Sequence, residues 1–298
     1  MYSQFFGNFL LSKHAVTSNQ ILRAIQNQHA KHLRLGTLAI HEGYMSASQV
    51  DEIFVQQTHT DRRFGELAIQ AGYLTMEQLN ALLEAQTPNY LLIGQALVDD
   101  GALTNAQLEQ YIQEYHADSQ LNELEVTGEQ QDNLVELVRQ MFLISSESIP
   151  EYAIRYVKLL FNNLIRFIGE DFMPLNPILC TDMDLAYCSS QALYGDFAIN
   201  SYLETSEETA IAFASRYVND EFSEFDDYVK ASIDDFLNLH NGLFVVNMSN
   251  EYSVELNLEA PMIMENVHIS TTDDAYLLPV VYPFGTLNFI LKINCDIA

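Results

Sequence analysis

Arg34 to Gln57 reads RLGTLAIHEGYMSASQVDEIFVQQ, and 29 residues further on Arg63 to Gln86 reads RFGELAIQAGYLTMEQLNALLEAQ. The arginine, the glycine two places later and the closing glutamine fall in register. The same 24-residue frame, with a five-residue spacer, also fits 5–28 and 92–115. A fixed period of this size marks a chain built from stacked units, each too small to bury its apolar face alone.

Each copy carries the marks of a helix–turn–helix. Frame position 13 is Thr17, Ser46, Thr75 and Thr104, and position 16 is Gln20, Gln49, Gln78 and Gln107. A hydroxyl followed three residues later by glutamine predicts a capping box, in which each side chain satisfies the other residue's backbone N–H at a helix start. Val16, Met45, Leu74 and Leu103 precede the caps. Ile21, Val50, Leu79 and Leu108 follow at the spacing of a hydrophobic staple. The second helix is expected to bury frame positions 17, 20 and 21, as in Leu79, Leu82 and Leu83. Gly43, Gly72 and Gly101 stand where the first helix needs a left-handed C-cap. Caps and apolar spacing thus account for most of the motif as packing.

Three features exceed what packing asks for. Arg34 and Arg63 open only the middle copies, where Phe5 and Leu92 open the outer ones. Gly36 and Gly65 lie beside those arginines. Gln28, Gln57 and Gln86 close three of the copies. An arginine fork makes paired hydrogen bonds to a phosphate or a guanine edge, and a glycine lets a base approach the backbone. The frame R-L-G-x-x-L-x-x-x-G-x-L-x-x-x-Q-L-x-x-A-L-x-x-Q resembles the N-terminal domain of the MshE and type II secretion ATPases, over about 5–115. In that family the tandem pair binds cyclic di-GMP. The resemblance implies a ligand site at Arg34, Leu35, Gly36, Gln57, Arg63, Phe64, Gly65 and Gln86. No ATPase follows, because no G-x-x-x-x-G-K-[ST] occurs. Related repeats also act as plain docking modules, so a scaffold for a secretion, pilus or motility component is an alternative.

Composition narrows the partners. The 298 residues carry a net charge of −28, yet residues 1–63 are +2 by themselves and the remainder about −30. Such a balance argues against DNA or RNA, whose phosphates need clustered cations. No apolar run reaches the length of a membrane span, and the opening MYSQFFGNFLLSKHAV lacks the pattern of a signal peptide. Cys180, Cys188 and Cys295 are too few and too scattered for a disulfide framework or a zinc cluster. His29, His32, His41 and His59 show no recurring ligand spacing and read as solvated, so no metal site is expected. The expectation is a cytoplasmic protein.

The second half has a different grammar. Residues 134–144 and 151–172 show helical periodicity, with Pro150 at a helix start. DLAYCSSQALYGDFAINSYLE is strand-like, with a turn at Tyr194-Gly195-Asp196. Thr205-x-x-Glu208 predicts the cap of a further helix, and a long helix over about 225–242 is expected to stop at Gly242. Strands are expected near 243–248, 252–258, 263–269, 276–282 and 286–294. Helices flanking a long antiparallel meander imply an α+β domain.

The segment GDFAINSYLETSEETAIAFASRYVNDEFSEFDDYVKASIDDFLNLHNG resembles the CheX branch of the CheC/CheX/FliY phosphatases, which pair a strand–helix segment with a helix carrying E-x-x-N-x-x-x-G. Here the motif is Asp235-Phe236-Leu237-Asn238, then Gly242. In that family the Asn orients the water that attacks a response regulator's aspartyl phosphate, and the Glu pairs with the regulator's lysine. The Mg2+ belongs to the regulator. A spacing of three puts Asp235 and Asn238 on one helical face. Aspartate for glutamate withdraws the carboxylate by one methylene. A register using Asp234 would place leucine at the Asn position and is rejected.

The reading is a multidomain chain: four helix–turn–helix repeats over 1–116, an acidic linker over 117–133, and an α+β CheX-like domain over 134–298. It implies a bacterial signalling protein that senses cyclic di-GMP and docks a CheY-like response regulator or pairs with a second copy. The alternative is an active aspartyl-phosphate phosphatase using Asp235 and Asn238, with no intrinsic cofactor.

Overall fold

The computed structural model describes residues 3–26, 33–60, 62–84, 89–125, 130–145 and 149–293. The chain divides into two compact units, 1–129 and 130–298. Among the described residues, no helix is long and apolar enough to cross a membrane.

In the first unit the helices come in pairs, one pair per repeat: α1 (Phe6–Ser12) and α2 (Ser18–Gln26), α3 (Leu35–His41) and α4 (Ala47–His59), α5 (Phe64–Gln70) and α6 (Met76–Glu84), α7 (Asn89–Asp99) and α8 (Asn105–Glu125). Each expected capping box is present. Ser46 N–H donates to Gln49 Oε1 at 2.8 Å, and the serine hydroxyl accepts from Gln49 N–H at 3.4 Å. Thr75 with Gln78 and Thr104 with Gln107 repeat the exchange, as does Thr17 with Gln20. Gly43, Gly72 and Gly101 have φ of 68°, 76° and 70°, the left-handed caps their spacing asks for. His14 takes the same turn at φ 54° in the first repeat, which has no glycine there.

The frame glycines close each pair. A Cβ on Gly36 would lie 2.8 Å from Val50 Cγ1, and one on Gly65 would lie 2.8 Å from Leu79 Cδ1. Between repeats two and three the packing is reciprocal. Phe64 lies over Gly36 and Leu35 over Gly65, while α3 meets α6 and α4 meets α5. The two middle repeats therefore face each other with an approximate two-fold relation. The outer repeats pair likewise, α2 on α7 and α1 on α8.

One expectation about the frame fails. Leu82 is buried and Leu79 half-buried, but Leu83 is 68% exposed. At the same frame position the outer repeats bury Ile25 and Ile112, while Phe54 in the second repeat is only half-buried. Inner and outer pairs thus cover this position differently.

The second unit begins with α9 (Gln130–Ser145) and α10 (Glu151–Phe167), the latter capped by Pro150. Then follow β1 (Met173–Pro174), β2 (Ile178–Gly195), β3 (Ile199–Glu204), α11 (Glu207–Val218), α12 (Asp227–Tyr252), β4 (Leu256–Leu258), β5 (Met262–Tyr282) and β6 (Gly285–Ile293). All pairings are antiparallel, in the order β1-β5-β6-β3-β2-β4, and β2 also pairs with β5. Cys188 is paired on both sides, to Glu204 of β3 and to Met264 of β5. One face of the sheet carries α12, against which Ser201 of β3 is hydrogen-bonded. The other face has a smaller core, where Leu185, Cys188 and Ile290 pack with Tyr202 and Leu277.

Three local expectations are corrected. Helix α12 does not stop at Gly242 but runs to Tyr252, so residues 243–248 are helix, not strand. His240, Phe244 and Met248 are buried at i, i+4 and i+8, and that helical stripe outweighs the β-branched look of LFVVNM. The strands expected at 263–269 and 276–282 are one strand, β5. The cap of α11 is Ser206, whose hydroxyl accepts from Thr209 N–H, rather than Thr205. Within 117–133, residues up to 125 are the end of α8 and those from 130 the start of α9.

Candidate functional site

Helix α12 starts where Asp226 Oδ1 accepts from the N–H groups of Tyr228 and Val229, each at 3.0 Å. Its inner stripe, Val229, Ile233, Phe236 and Leu237, is fully buried. That burial turns Asp235 and Asn238 outward together, and both are exposed. Each is nevertheless held from beneath. Tyr217 of α11 donates its hydroxyl to Asp235 Oδ2 at 2.7 Å. The Tyr217 ring is packed against Phe213 and Phe236. Burial, and then the Asp235 carboxylate, raise the Tyr217 phenol above its ordinary range, so it stays a donor.

Asn238 is tied to the sheet. Gln191 of β2 donates from Nε2 to Asn238 Oδ1 at 2.8 Å. The same nitrogen donates to the Glu259 carbonyl at 2.8 Å. Gln191 Oε1 accepts from Asn241 Nδ2 at 2.8 Å, and Asn241 also donates to Ser201 Oγ at 2.9 Å. Tyr156 of α10 completes the chain with a hydroxyl donated to Asn241 Oδ1 at 2.6 Å. Gln191, Asn241, Ser201 and Tyr156 are all buried, so the bonds among them are shielded from water, while those from Gln191 to Asn238 and Glu259 are part-buried.

Asp234, the rejected alternative, is half-buried, and burial raises its carboxyl above the usual carboxylate range. His240 is fully buried, with Nδ1 3.0 Å from Asn163 Nδ2 and its ring edge-on to Tyr156. The imidazole and the Asn163 amide share this hydrogen bond. Burial lowers this imidazole to about 3. The unfolded chain therefore takes up the proton first as pH falls below ~6.5, and stability drops between there and the folded value. Urea midpoints recorded from pH 7 to pH 4 should fall more steeply in the wild type than in His240→Leu; parallel curves would contradict this.

In the first unit, Arg34 and Arg63 are the N-caps of α3 and α5, and both side chains are exposed. Arg34 is already engaged: Nη1 lies 2.8 Å from Asp99 Oδ1, and the guanidinium sits 5.7 Å from the Phe54 ring centre. Its backbone N–H donates to Gln95 Oε1 at 2.5 Å. Leu35 and Phe64 are half-buried, with Phe64 tilted against Phe54 at 5.4 Å. Gly36 and Gly65 are buried, their open sides turned to Val50 and Leu79. Gln57 donates from Nε2 to the Arg62 carbonyl at 3.2 Å. Gln86 lies outside the described residues. A depression of about 700 Å³ between α4 and α5 is lined by Glu52, Gln56, His59, Arg62, Gln70 and Tyr73 among others, and neither Arg34 nor Arg63 borders it.

The residues that sequence reasoning missed are the supports: Tyr217, Gln191 and Asn241 in the second unit, Gln95 and Asp99 in the first. Gln191 had one visible signal. It is the only long polar side chain in the strand-like run CSSQAL, where a buried amide needs partners.

No protein-family model and no curated protein sequence matches the chain. Among solved structures, the chain is similar to a CheC-like superfamily protein from Shewanella sp. PV-4, at 14% identity and a TM-score of 0.44, over 50% of this chain and 100% of that one. It is similar to the chemotaxis protein CheX from Desulfovibrio desulfuricans, at 16% identity and a TM-score of 0.41, over 48% and 99%. A chain of the CheX–CheY–BeF3–Mg2+ complex from Borrelia burgdorferi matches at 17% identity and a TM-score of 0.40, over 48% and 98%.

Proposed function

We propose that the second unit docks a phosphorylated CheY-like response regulator against the outer face of α12, and that Asn238 acts there on the aspartyl phosphate. The observation that carries this reading is the pair itself: Asp235 and Asn238 are exposed together, each fixed by a side chain beneath it. A face meant only for loose contact has no need of a buried amide chain behind one residue. In the reaction, water adds to phosphorus as the bond to the regulator's aspartate breaks. The aspartate leaves as a carboxylate, and both water protons end on the released dihydrogen phosphate. Asp235 meets the regulator's lysine, and Mg2+ is supplied by the regulator's own site.

The test is the decay of acetyl-phosphate-charged receiver proteins with and without the chain. Faster decay supports the reading, and unchanged decay across a panel of receivers counts against it. The reading places the chain in the cytoplasm and allows a homodimer, in which a second copy covers the exposed Ile178, Leu179, Met262 and Ile263.

For the first unit we propose cyclic di-GMP as the ligand of the middle repeats. The reciprocal seating of Leu35 and Phe64 on Gly65 and Gly36 gives a two-fold arrangement suited to a two-fold ligand. Arg63 and Leu83 are exposed, and the Arg34 guanidinium lies beside half-buried Phe54. The Arg34 side chain of the Arg34–Asp99 pair is 51% exposed, so a ligand phosphate can reach the guanidinium and compete with the carboxylate for it. Labelled cyclic di-GMP should bind, and Arg34→Ala or Arg63→Ala should each weaken binding about tenfold, the loss of one charge-assisted contact. No binding at tens of micromolar would refute the proposal. The ion pair itself favours the scaffold alternative, for which capture of a secretion, pilus or motility component would persist without nucleotide and in both arginine variants.

A further inference from the structure

A primary amide is nearly symmetric in shape, so packing alone does not decide which end of Asn238 faces outward. Hydrogen bonding decides it, and here the decision traces back to a backbone carbonyl. Glu259 C=O can only accept, and it lies 2.8 Å from the Gln191 amide. The end of Gln191 that meets it must therefore be the nitrogen. Its second N–H then points at Asn238, whose oxygen must be the atom that receives it, at 2.8 Å. The far end of Gln191 is left as an oxygen, and it finds the Asn241 amide nitrogen. Asn241 in turn keeps its own oxygen for the Tyr156 hydroxyl. Turning Gln191 round would set its oxygen against the Glu259 carbonyl and its nitrogen against Asn241 Nδ2. Two mismatched contacts in a buried place cost far more than one exposed amide gains.

We infer that Gln191 is a positioning residue, which turns the Asn238 amide so that its N–H donors, rather than its oxygen, face the docked partner. The inference rests on the phosphatase reading for its purpose. The orientation suits that purpose by sign. A phosphoryl group carries negative charge that donors attract and a bare carbonyl oxygen repels. Asn238 Oδ1 is spent on Gln191 but keeps one lone pair, which remains able to accept from a water held beside the phosphorus.

Two measurements test it. The first needs no partner: side-chain amide exchange in the 15N-labelled full chain. Gln191 NH2 protons should exchange slowly and shift on Asn238→Ala, and Asn238 NH2 protons should exchange fast. Rapid exchange at Gln191 overturns the inference. The second is a double-mutant cycle on decay of an acetyl-phosphate-charged CheY-type receiver. Gln191→Met keeps the length of the side chain and leaves Asn241 its bond to Ser201. It should lower the maximal rate about tenfold, with the half-saturating receiver concentration within about twofold, as expected of a misaligned group. Gln191→Met should then add little in the Asn238→Ala background, because Gln191 acts only through Asn238. Fully independent effects overturn the inference and leave the phosphatase reading standing. If wild type accelerates no receiver, the phosphatase reading fails, and the exchange measurement alone decides what Gln191 does. Should Gln191→Met not fold, Gln191→Glu removes both donors while keeping the acceptor for Asn241, and the same outcomes apply.

Discussion

Asn238→Ala is expected to slow phosphoryl loss from a docked receiver by about a hundredfold, the scale of a positioned polar group at a reacting centre. Docking should survive, because the removed side chain is exposed and makes one bond to the rest of the domain, from Gln191. That lost bond costs about 1 kcal/mol of stability, too little to unfold the domain. Asp235→Ala should behave differently. In the proposed docking its carboxylate meets the partner's lysine, so the half-saturating receiver concentration should rise more than the maximal rate falls. Steady-state rates for the two variants separate these effects. Equal losses in both parameters for both variants would mean that the pair is not divided between chemistry and docking.

Gly195→Ala carries the largest expected effect on stability. Gly195 ends β2 at φ 152°, where a side chain is strained regardless of its size. A Cβ there would also fall 2.1 Å from the Glu255 carbonyl oxygen. That carbonyl cannot withdraw, because it accepts from Asp196 N–H at 3.1 Å while Glu255 N–H donates to Asp196 Oδ2 at 3.0 Å. Strain and collision together should cost on the order of 3 kcal/mol or more. Urea denaturation reads this directly, and a loss below about 1 kcal/mol would show that the turn yields. The site should suffer with the fold. The same turn pins β4, and Glu259, the carbonyl that orients Gln191, follows one residue beyond it.

Much of the helical unit was legible because its signals are local. A hydroxyl and a glutamine three apart state a helix start on their own terms, and a glycine after an apolar helix states its end. The 29-residue period then fixed which pieces are equivalent. What the period could not say is how the copies pair. Leu83 looks buried by analogy with Ile25 and Ile112, yet which neighbour covers each copy is a long-range fact. The same holds for the frame glycines. Their missing side chains were expected to let a base approach the backbone, and the close approach belongs to Val50 and Leu79.

In the second unit the errors came from short apolar runs. LFVVNM suits a strand by composition, and only the longer stripe from Val229 to Met248 reveals a helix that passes straight through Gly242. The two strands expected at 263–269 and 276–282 are held as one by the pairing of β5 with β2 and then with β6. The resemblance to the CheX motif singled out Asp235 and Asn238, and their spacing of three put them on one helical face whatever the fold. Tyr217 and Gln191 were not singled out, since their hydrogen bonds to the pair span 18 and 47 residues of sequence and exist only once the sheet has formed.

The central claim is that the outer face of α12 is where the partner's phosphorylation site arrives. The most direct measurement is a 15N spectrum of the full chain titrated with a beryllofluoride-activated, Mg2+-bound CheY-type receiver. The account predicts saturable shifts centred on Asp235, Asn238 and the side-chain amide of Asn238, lost when the receiver is not activated. Saturable shifts that leave α12 untouched and fall elsewhere on the chain would contradict it.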